Sequence, residues 1–396
     1  MKDLTKLHKI KRKIPAADLN FTIDEGDHLT DNSDPEKITD KLGKIPKNRK
    51  IKLTKKHYLI TGIILVIAAI IVALILTTKP TDKAIVPPIK KTVVSKPIIY
   101  YSPLTGLPVT MTESQLPVTA IMIENSAQAR PQSGLSQAGV IFEALTEGGI
   151  SRFLAIYQSG QPNSIGPIRS ARPYFVDWEL GFNAAYVHVG GSPAGLARIQ
   201  AYHVKDINQF YHGSSFTRIT SRYAPHNVYT SMSNLNSLES SLGYGLSTFT
   251  SFPRKPDQPA KIPTATNINF SLSSPYFAAN YVYNKTNNSY LRSEGGSPMV
   301  DANTNLQLDP KVVIAIVVPW SYGALDSSGA YYTDYSDIGS GDAYIFQDGT
   351  VVKGVWSKSS LTSQITFTTV AGSVIELNAG QTWITAVGDD SGVSYQ

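Results

Sequence analysis

Apolar and polar positions fall into three regimes along the 396 residues. Residues 58–76 read YLITGIILVIAAIIVALIL, an apolar run without a single charge. A helix of about 20 such residues crosses a hydrocarbon layer of roughly 30 Å with its backbone polar groups paired internally, so the run predicts one transmembrane helix. A buried core helix would keep a polar stripe, and none is present. A cleaved signal peptide would have a shorter apolar core nearer the start and a small-residue cleavage site, so an uncleaved anchor is expected. Around this run periodicity is lost. Residues 1–57 are poor in aromatics and interrupted by Pro15, Pro35 and Pro46, with an acidic stretch from Asp24 to Asp40, and are expected to be disordered. Residues 77–99 contain Pro80, Pro87, Pro88 and Pro97 and read as an extended spacer.

Beyond residue 100 the pattern is that of a folded α/β (α+β) module. Val118–Ile123, Val140–Ala144, Phe153–Gln158 and Ala184–Val189 are short apolar runs bounded by polar or glycine-rich loops, the signature of buried strands. Ala171–Leu180 reads as a helix with Ser170 as its N-cap, a second helix follows Pro193, and Ser233–Leu242 is a third with Ser233 as its cap. Strands alternating with helices predict a mixed-sheet N-terminal domain over 100–250. After a linker at 251–265, residues 266–396 lose helical periodicity and predict a smaller β-rich C-terminal domain. Val312–Val318 reads there as a buried strand, and Gln347-Asp348-Gly349 as the turn of a hairpin between Ala343–Phe346 and Thr350–Trp356. Gln364–Thr369, Ser373–Leu377 and Thr382–Val387 continue the β pattern, and no internal repeat argues for a solenoid.

Charge changes the picture once it is divided at the apolar run. The chain has a net charge of +6, and all of the excess lies in residues 1–56, with 15 Lys or Arg against 9 Asp or Glu; residues 57–396 carry 21 of each. Lys50, Lys52, Lys55 and Lys56 crowd the N-terminal side of the run, which places residues 1–57 in the cytoplasm and the rest outside a plasma membrane. The basic excess therefore belongs to topology and to the anionic inner leaflet, and no nucleic-acid partner is expected. A docking segment for a cytoplasmic partner is the alternative use of the tail. The absence of cysteine excludes disulfides, thiolate metal sites, cysteine nucleophiles and a lipid-bearing cysteine.

Chemistry-bearing residues concentrate in loops of the first half: ENSAQARPQSGLSQA (124–138), EGGISR (147–152), GPIRSARP (166–173), HVGGSP (188–193) and APHN (224–227). These strings, continued by RFLAIYQS and YVHVGGSP, and the later GSGDAYIFQDGTVVKGVW and LNAGQTW, resemble the YerB family of bacterial lipoprotein-type proteins, whose tandem domains have no assigned function. The resemblance covers roughly residues 100–390. It implies an envelope-facing protein with an α/β N-terminal and a smaller β-rich C-terminal domain, and it brings no catalytic residue. The anchor departs from the family pattern, since a membrane helix and a long tail stand where a lipidated cysteine is usual.

Among the residues themselves, Arg130, Arg152, Arg169 and Arg172 lie in loops that can converge at one end of a sheet. An arginine fork matches carboxylate or phosphate bidentately, and Ser170 sits where a helix would begin, so an anion site is one reading. Pairing of these arginines with Glu124, Glu143, Glu147 and Asp177 to brace the loops is the other. His188, His203, His212 and His226 are the histidines beyond the span; their spacing fits no short helical ligand pair, so no metal is expected, and hydrogen-bonded or acid–base roles remain. Asn227 follows His226 in the same loop. Gly190-Gly191-Ser192-Pro193-Ala194 approaches a nucleophile elbow but lacks its last glycine and is better read as a turn with Ser192 capping a helix. No Walker A or dinucleotide fingerprint occurs, and no cofactor is expected. The Tyr322–Tyr335 stretch has the rings to stack on sugars, although core packing explains most tyrosines.

Two readings follow. One is a non-catalytic, single-pass envelope protein that binds an anionic wall polymer or a partner protein through Arg130, Arg152, Arg169, Ser170, Arg172, His188, His226 and Asn227. The other is a hydrolase of wall glycans, esters or peptides with His188 or His226 as base and Glu147 or Asp177 nearby.

Overall fold

The computed structural model describes residues 54–77 and 98–396. Most of the expected tail (1–57) and spacer (77–99) lies outside these residues. The chain divides into two units, one holding the apolar run and the other the remainder from Val93 onward. In the first unit, α1 (Lys55–Thr77) is a 23-residue helix long and apolar enough to cross a membrane by length and composition.

The second unit has, in chain order, β1 (Thr119–Glu124), β2 (Val140–Leu145), β3 (Ser151–Tyr157), α2 (Pro173–Leu180), β4 (Ala185–His188), α3 (Pro193–Ala201), β5 (Lys205–Asn208) and α4 (Met232–Ser241). The later part adds β6 (Asn267–Phe270), β7 (Ala279–Asn284), β8 (Ser289–Glu294), β9 (Ser297–Pro298), β10 (Val312–Val317), β11 (Trp320–Leu325), β12 (Tyr331–Tyr335), β13 (Gly339–Gln347), β14 (Thr350–Lys358), β15 (Thr366–Thr369), β16 (Thr382–Val387) and β17 (Val393–Tyr395). A mixed α/β architecture is thus present, with few helices and a β-rich later part, as the sequence pattern implied. Strands from both halves share one ten-stranded sheet in the order β15-β14-β13-β10-β16-β2-β3-β1-β4-β5. Its seam is the parallel pairing of β2 with β16, from Val140 opposite Thr382 to Glu143 opposite Thr385.

Alternation explains how this sheet is covered on both faces. Ala120 and Met122 of β1 enter a cluster with Tyr174, Phe175 and Trp178 of α2, whereas Ile121 and Ile123 pack with Met232 and Leu235 of α4. Phe142 of β2 stacks on Trp178 with ring centroids 5.1 Å apart. Burying each such ring stabilises the fold by about 1.5–3 kcal/mol. A second, antiparallel sheet, β9-β8-β7-β6-β17, packs Phe270, Tyr281 and Tyr290 against Val313, Ala315 and Phe346 of the large one.

The helix starts depart from expectation in an instructive way. Helix α2 begins at Pro173 with Arg172 as N-cap, and no side chain caps it, so Ser170 lies too far upstream. Proline favours the first helical position and holds the residue before it extended, as Arg172 is at φ −134° and ψ 153°. Helix α4 is capped by Ser231, whose hydroxyl accepts from Asn234 N at 3.2 Å, and not by Ser233. Ser192 caps α3 as expected, accepting from Gly195 N at 3.1 Å.

Candidate functional site

Strands β1, β2, β4, β5, β10 and β16 run in one direction, because the parallel pairings β1–β4, β4–β5, β2–β16 and β10–β16 are joined through antiparallel β3. Their carboxyl ends therefore share one edge, the place where open α/β sheets gather ligands. Four loops meet there: Glu124–Ser126 after β1, Glu147–Gly149 between β2 and β3, Arg169–Arg172 before α2, and Val189–Ser192 after β4. Main-chain bonds hold the third loop between its neighbours, from Arg169 N to Met122 O at 2.9 Å and from Val189 N to Arg169 O at 3.0 Å.

Three of the four predicted arginines are occupied internally. Arg172 donates to Glu147 Oε2 through Nε at 2.8 Å, makes a second, very short contact to Oε1 through Nη2, and donates to Ala171 O at 2.7 Å. Arg152 reaches the same carboxylate at 3.3 Å and Ser170 O at 2.9 Å. Burial alone would raise the Glu147 pKa, but the charges of Arg152 and Arg172 and the hydrogen bond from Arg172 outweigh it and hold the group down at about 2. Arg130 donates to Glu294 Oε1 at 2.8 Å and to Asn125 Oδ1 at 3.0 Å, with its guanidinium 5.3 Å from the ring centres of Tyr276 and Phe277.

Arg169 differs. Its side chain is about a quarter exposed, at 24%, and its Nε stands 3.6 Å from Glu124 Oε2, beyond hydrogen-bond range. Both of these atoms are buried and lack a hydrogen-bond partner. The other Glu124 oxygen accepts from Ser126 Oγ at 2.8 Å and lies 2.8 Å from His226 Nδ1, which is also 3.4 Å from Ser126 Oγ. A carboxylate at Nδ1 fixes the proton there and leaves Nε2 without a partner among the described residues.

The remaining predicted residues are placed elsewhere or serve the scaffold. His188 is fully buried, with Nδ1 2.6 Å from Gly190 O and Nε2 2.7 Å from Asp206 Oδ1. Both ring nitrogens are thus held by the scaffold, one by a main-chain carbonyl and one by a carboxylate. Asp177 binds Arg198 at 2.5 and 2.6 Å, and burial raises its pKa to about 6. Neither histidine is partnered by Glu147 or Asp177; their carboxylates are Asp206 and Glu124. Asn227 accepts from Arg218 at 2.8 Å within its own loop. Ser170 contributes its carbonyl to Arg152, not its hydroxyl to a cap. Among the described residues no group of three potential ligands is arranged to hold a metal.

One cluster escaped the sequence reading. Arg292 is fully buried, donating to both Glu143 oxygens at 3.1 and 3.0 Å and to Glu294 Oε2 at 3.0 Å, with a very short contact to the Tyr281 hydroxyl. Its guanidinium lies 4.2 Å from the Trp383 ring centre. Glu143 also accepts from Trp383 Nε1 at 3.1 Å and from Ser151 Oγ at 3.1 Å. The available signal was parity: Tyr290, Arg292 and Glu294 share the buried face of β8.

Comparison with known proteins assigns the chain. Residues 104–245 match the family described as "Protein of unknown function (DUF3048) N-terminal domain", and residues 267–384 match its C-terminal domain. The chain is 32% identical over 292 residues to "Putative lipoprotein YerB" of Bacillus subtilis (strain 168), covering 73% of this chain and 86% of that protein. It belongs to the YerB family. The crystal structure of YerB protein from Bacillus subtilis matches with a TM-score of 0.67 at 30% identity, covering 75% of this chain and 99% of that one. The two YerB-family regions meet in the Arg292 cluster, where Glu143 comes from the first and Arg292, Glu294 and Trp383 from the second.

Proposed function

We propose that this YerB-family chain is a non-catalytic binding protein of the cell envelope, anchored by α1, whose strand-end Arg169 recognises an anionic group of a wall polymer. The observation that carries this reading is the contrast among the arginines: three donate hydrogen bonds to a carboxylate, while Arg169 keeps a partly exposed guanidinium with no hydrogen bond among the described residues. His226 stands on the same carboxylate, with its Nε2 free of a hydrogen bond among the described residues. The relative's printed name, a lipoprotein, supports an envelope location, and with no cysteine in this chain α1 takes the place of a lipid anchor. The lysines before α1 support a cytoplasmic N-terminus, which leaves the tail free to engage an internal partner.

Sedimentation of the full chain in nanodiscs with purified wall tests this. The Arg169→Gln variant is expected to stay in the supernatant while the wild type pellets, and equal retention overturns the reading. A hydrolase is the second reading, favoured by the Glu124–His226 pair, which orients a ring nitrogen as a general base does. Ser126 contacts the same nitrogen as the acid, so no serine nucleophile is aligned, and the base would act on water. Soluble wall fragments appearing in the same supernatants decide for it.

A further inference from the structure

A second surface at this edge carries different chemistry. Hairpin β11–β12 and the turn between β2 and β3 enclose a concave cleft of about 580 Å³, lined in part by Trp320, Tyr322, Tyr331, Thr146, Gly148 and Gly149. That volume lies within the range of small-ligand sites. The ring centres of Trp320 and Tyr322 are 5.3 Å apart at 80°, and those of Tyr322 and Tyr331 5.4 Å apart at 45°. Tyr322 is 70% exposed, Tyr331 51% and Trp320 half-buried, whereas the other three tryptophans of the chain are buried. An aromatic set packed for stability would be covered; this one faces outward.

Three features define what fits. Trp320 Nε1 and the hydroxyls of Tyr322 and Tyr331 make no hydrogen bond among the described residues, so each ring presents an apolar face and a polar edge. No lining residue carries a charge, and the neighbouring Glu147 is consumed by Arg152 and Arg172. The cleft is also held open in advance: Thr333 Oγ1 donates to Thr146 O at 2.9 Å, Ser273 Oγ to Gly149 O at 2.6 Å, and Leu145 N to the Tyr335 hydroxyl at 3.0 Å. Gly148 and Gly149, both at positive φ (66° and 70°), bring bare main chain to the rim, and a Cβ on Gly148 would meet nothing within 4 Å.

We infer that this cleft is a subsite for uncharged pyranose rings of a glycan. A β-linked pyranose has C–H faces that lie on aromatic rings and equatorial hydroxyls that reach their polar edges, and a preformed cleft lowers the ordering cost of binding. The inference stands apart from the Arg169 reading, because none of the residues it uses touches Glu124, Arg169 or His226.

The test uses the full chain in nanodiscs, free of glycoside detergents, titrated with chitotetraose while tryptophan emission is followed. Trp320 is the tryptophan that solvent reaches, so a saturable emission change reports on the cleft. The Tyr322→Ala variant, altered at an exposed ring, is expected to bind about tenfold more weakly with an unchanged melting temperature, and Arg169→Gln to bind like the wild type. Trp320→Ala is expected to abolish the signal, with calorimetry confirming lost binding. Three results overturn the inference: no saturable binding, equal affinity of wild type and Tyr322→Ala, or loss of binding in Arg169→Gln alone.

Discussion

Arg292 and Arg169 both come to rest beside buried carboxylates, yet one is surrounded by partners and the other is not. Arg292 has no exposed surface, two carboxylates, a phenol and an indole face around it, and it joins the two family regions. Arg169 has one loose contact at 3.6 Å and an open side. Burial with full hydrogen bonding turns an arginine into a structural rivet, whereas incomplete satisfaction at the surface leaves recognition capacity unspent. Residue type does not distinguish the two roles; position on a buried strand face against an open loop, and the donors left over, do.

Removing the rivet should give the largest effect. Arg292→Ala leaves Glu143 and Glu294 buried without their common cation, and a loss of about 3–5 kcal/mol is expected in urea unfolding. Pairing Arg292→Met with Glu143→Gln should recover part of that loss, and no recovery would show that packing around Trp383, not charge, is what matters.

Glu147→Gln comes next, because it leaves Arg152 and Arg172 facing each other. The folded group titrates near 2 and the unfolded one near 4.5, so its contribution of about 3 kcal/mol is present above pH 4.5 and lost as the pH falls toward 2. The variant should be weaker at pH 7 and show a flatter acid limb in thermal melts.

An effect of opposite sign belongs to Glu179. Burial raises its pKa to about 8, and one of its oxygens has no partner. The folded form retains a proton that the unfolded chain has released, so stability falls as the pH rises from about 4.5 to 8. Glu179→Gln keeps the bond from Ala184 N and should flatten that decline; an unchanged slope would place the titration elsewhere. The smallest change in stability is expected for Arg169→Gln, within about 0.5 kcal/mol, although it removes wall retention. A large loss there would mean that Arg169 is another rivet.

Legibility from sequence follows the same physics. Apolar runs such as VVIAIVV and TAIMI announce strands buried on both faces, and these were placed within a residue or two. Helix starts were displaced because Pro173 overrides a nearby serine and because two serines competed before α4. Strands β6 to β8 alternate Asn, Tyr and Ser, so their buried parity is masked by polar residues. The arginine loops were readable as a group, and Glu147 and Glu124 were among their expected partners. That Arg130 would choose Glu294, and Glu143 would choose Arg292, depends on contacts between residues far apart in the chain, which local pattern does not encode.

The seam between β2 and β16 also orders events in time. Val140–Glu143 pairs with Thr382–Thr385, residues separated by nearly the whole second unit, so a growing polypeptide holds β2 with one flank open until its last strands exist. The pairing of β2 with β16 can form only after synthesis has passed Thr385. Until then β2 is paired on its β3 flank alone.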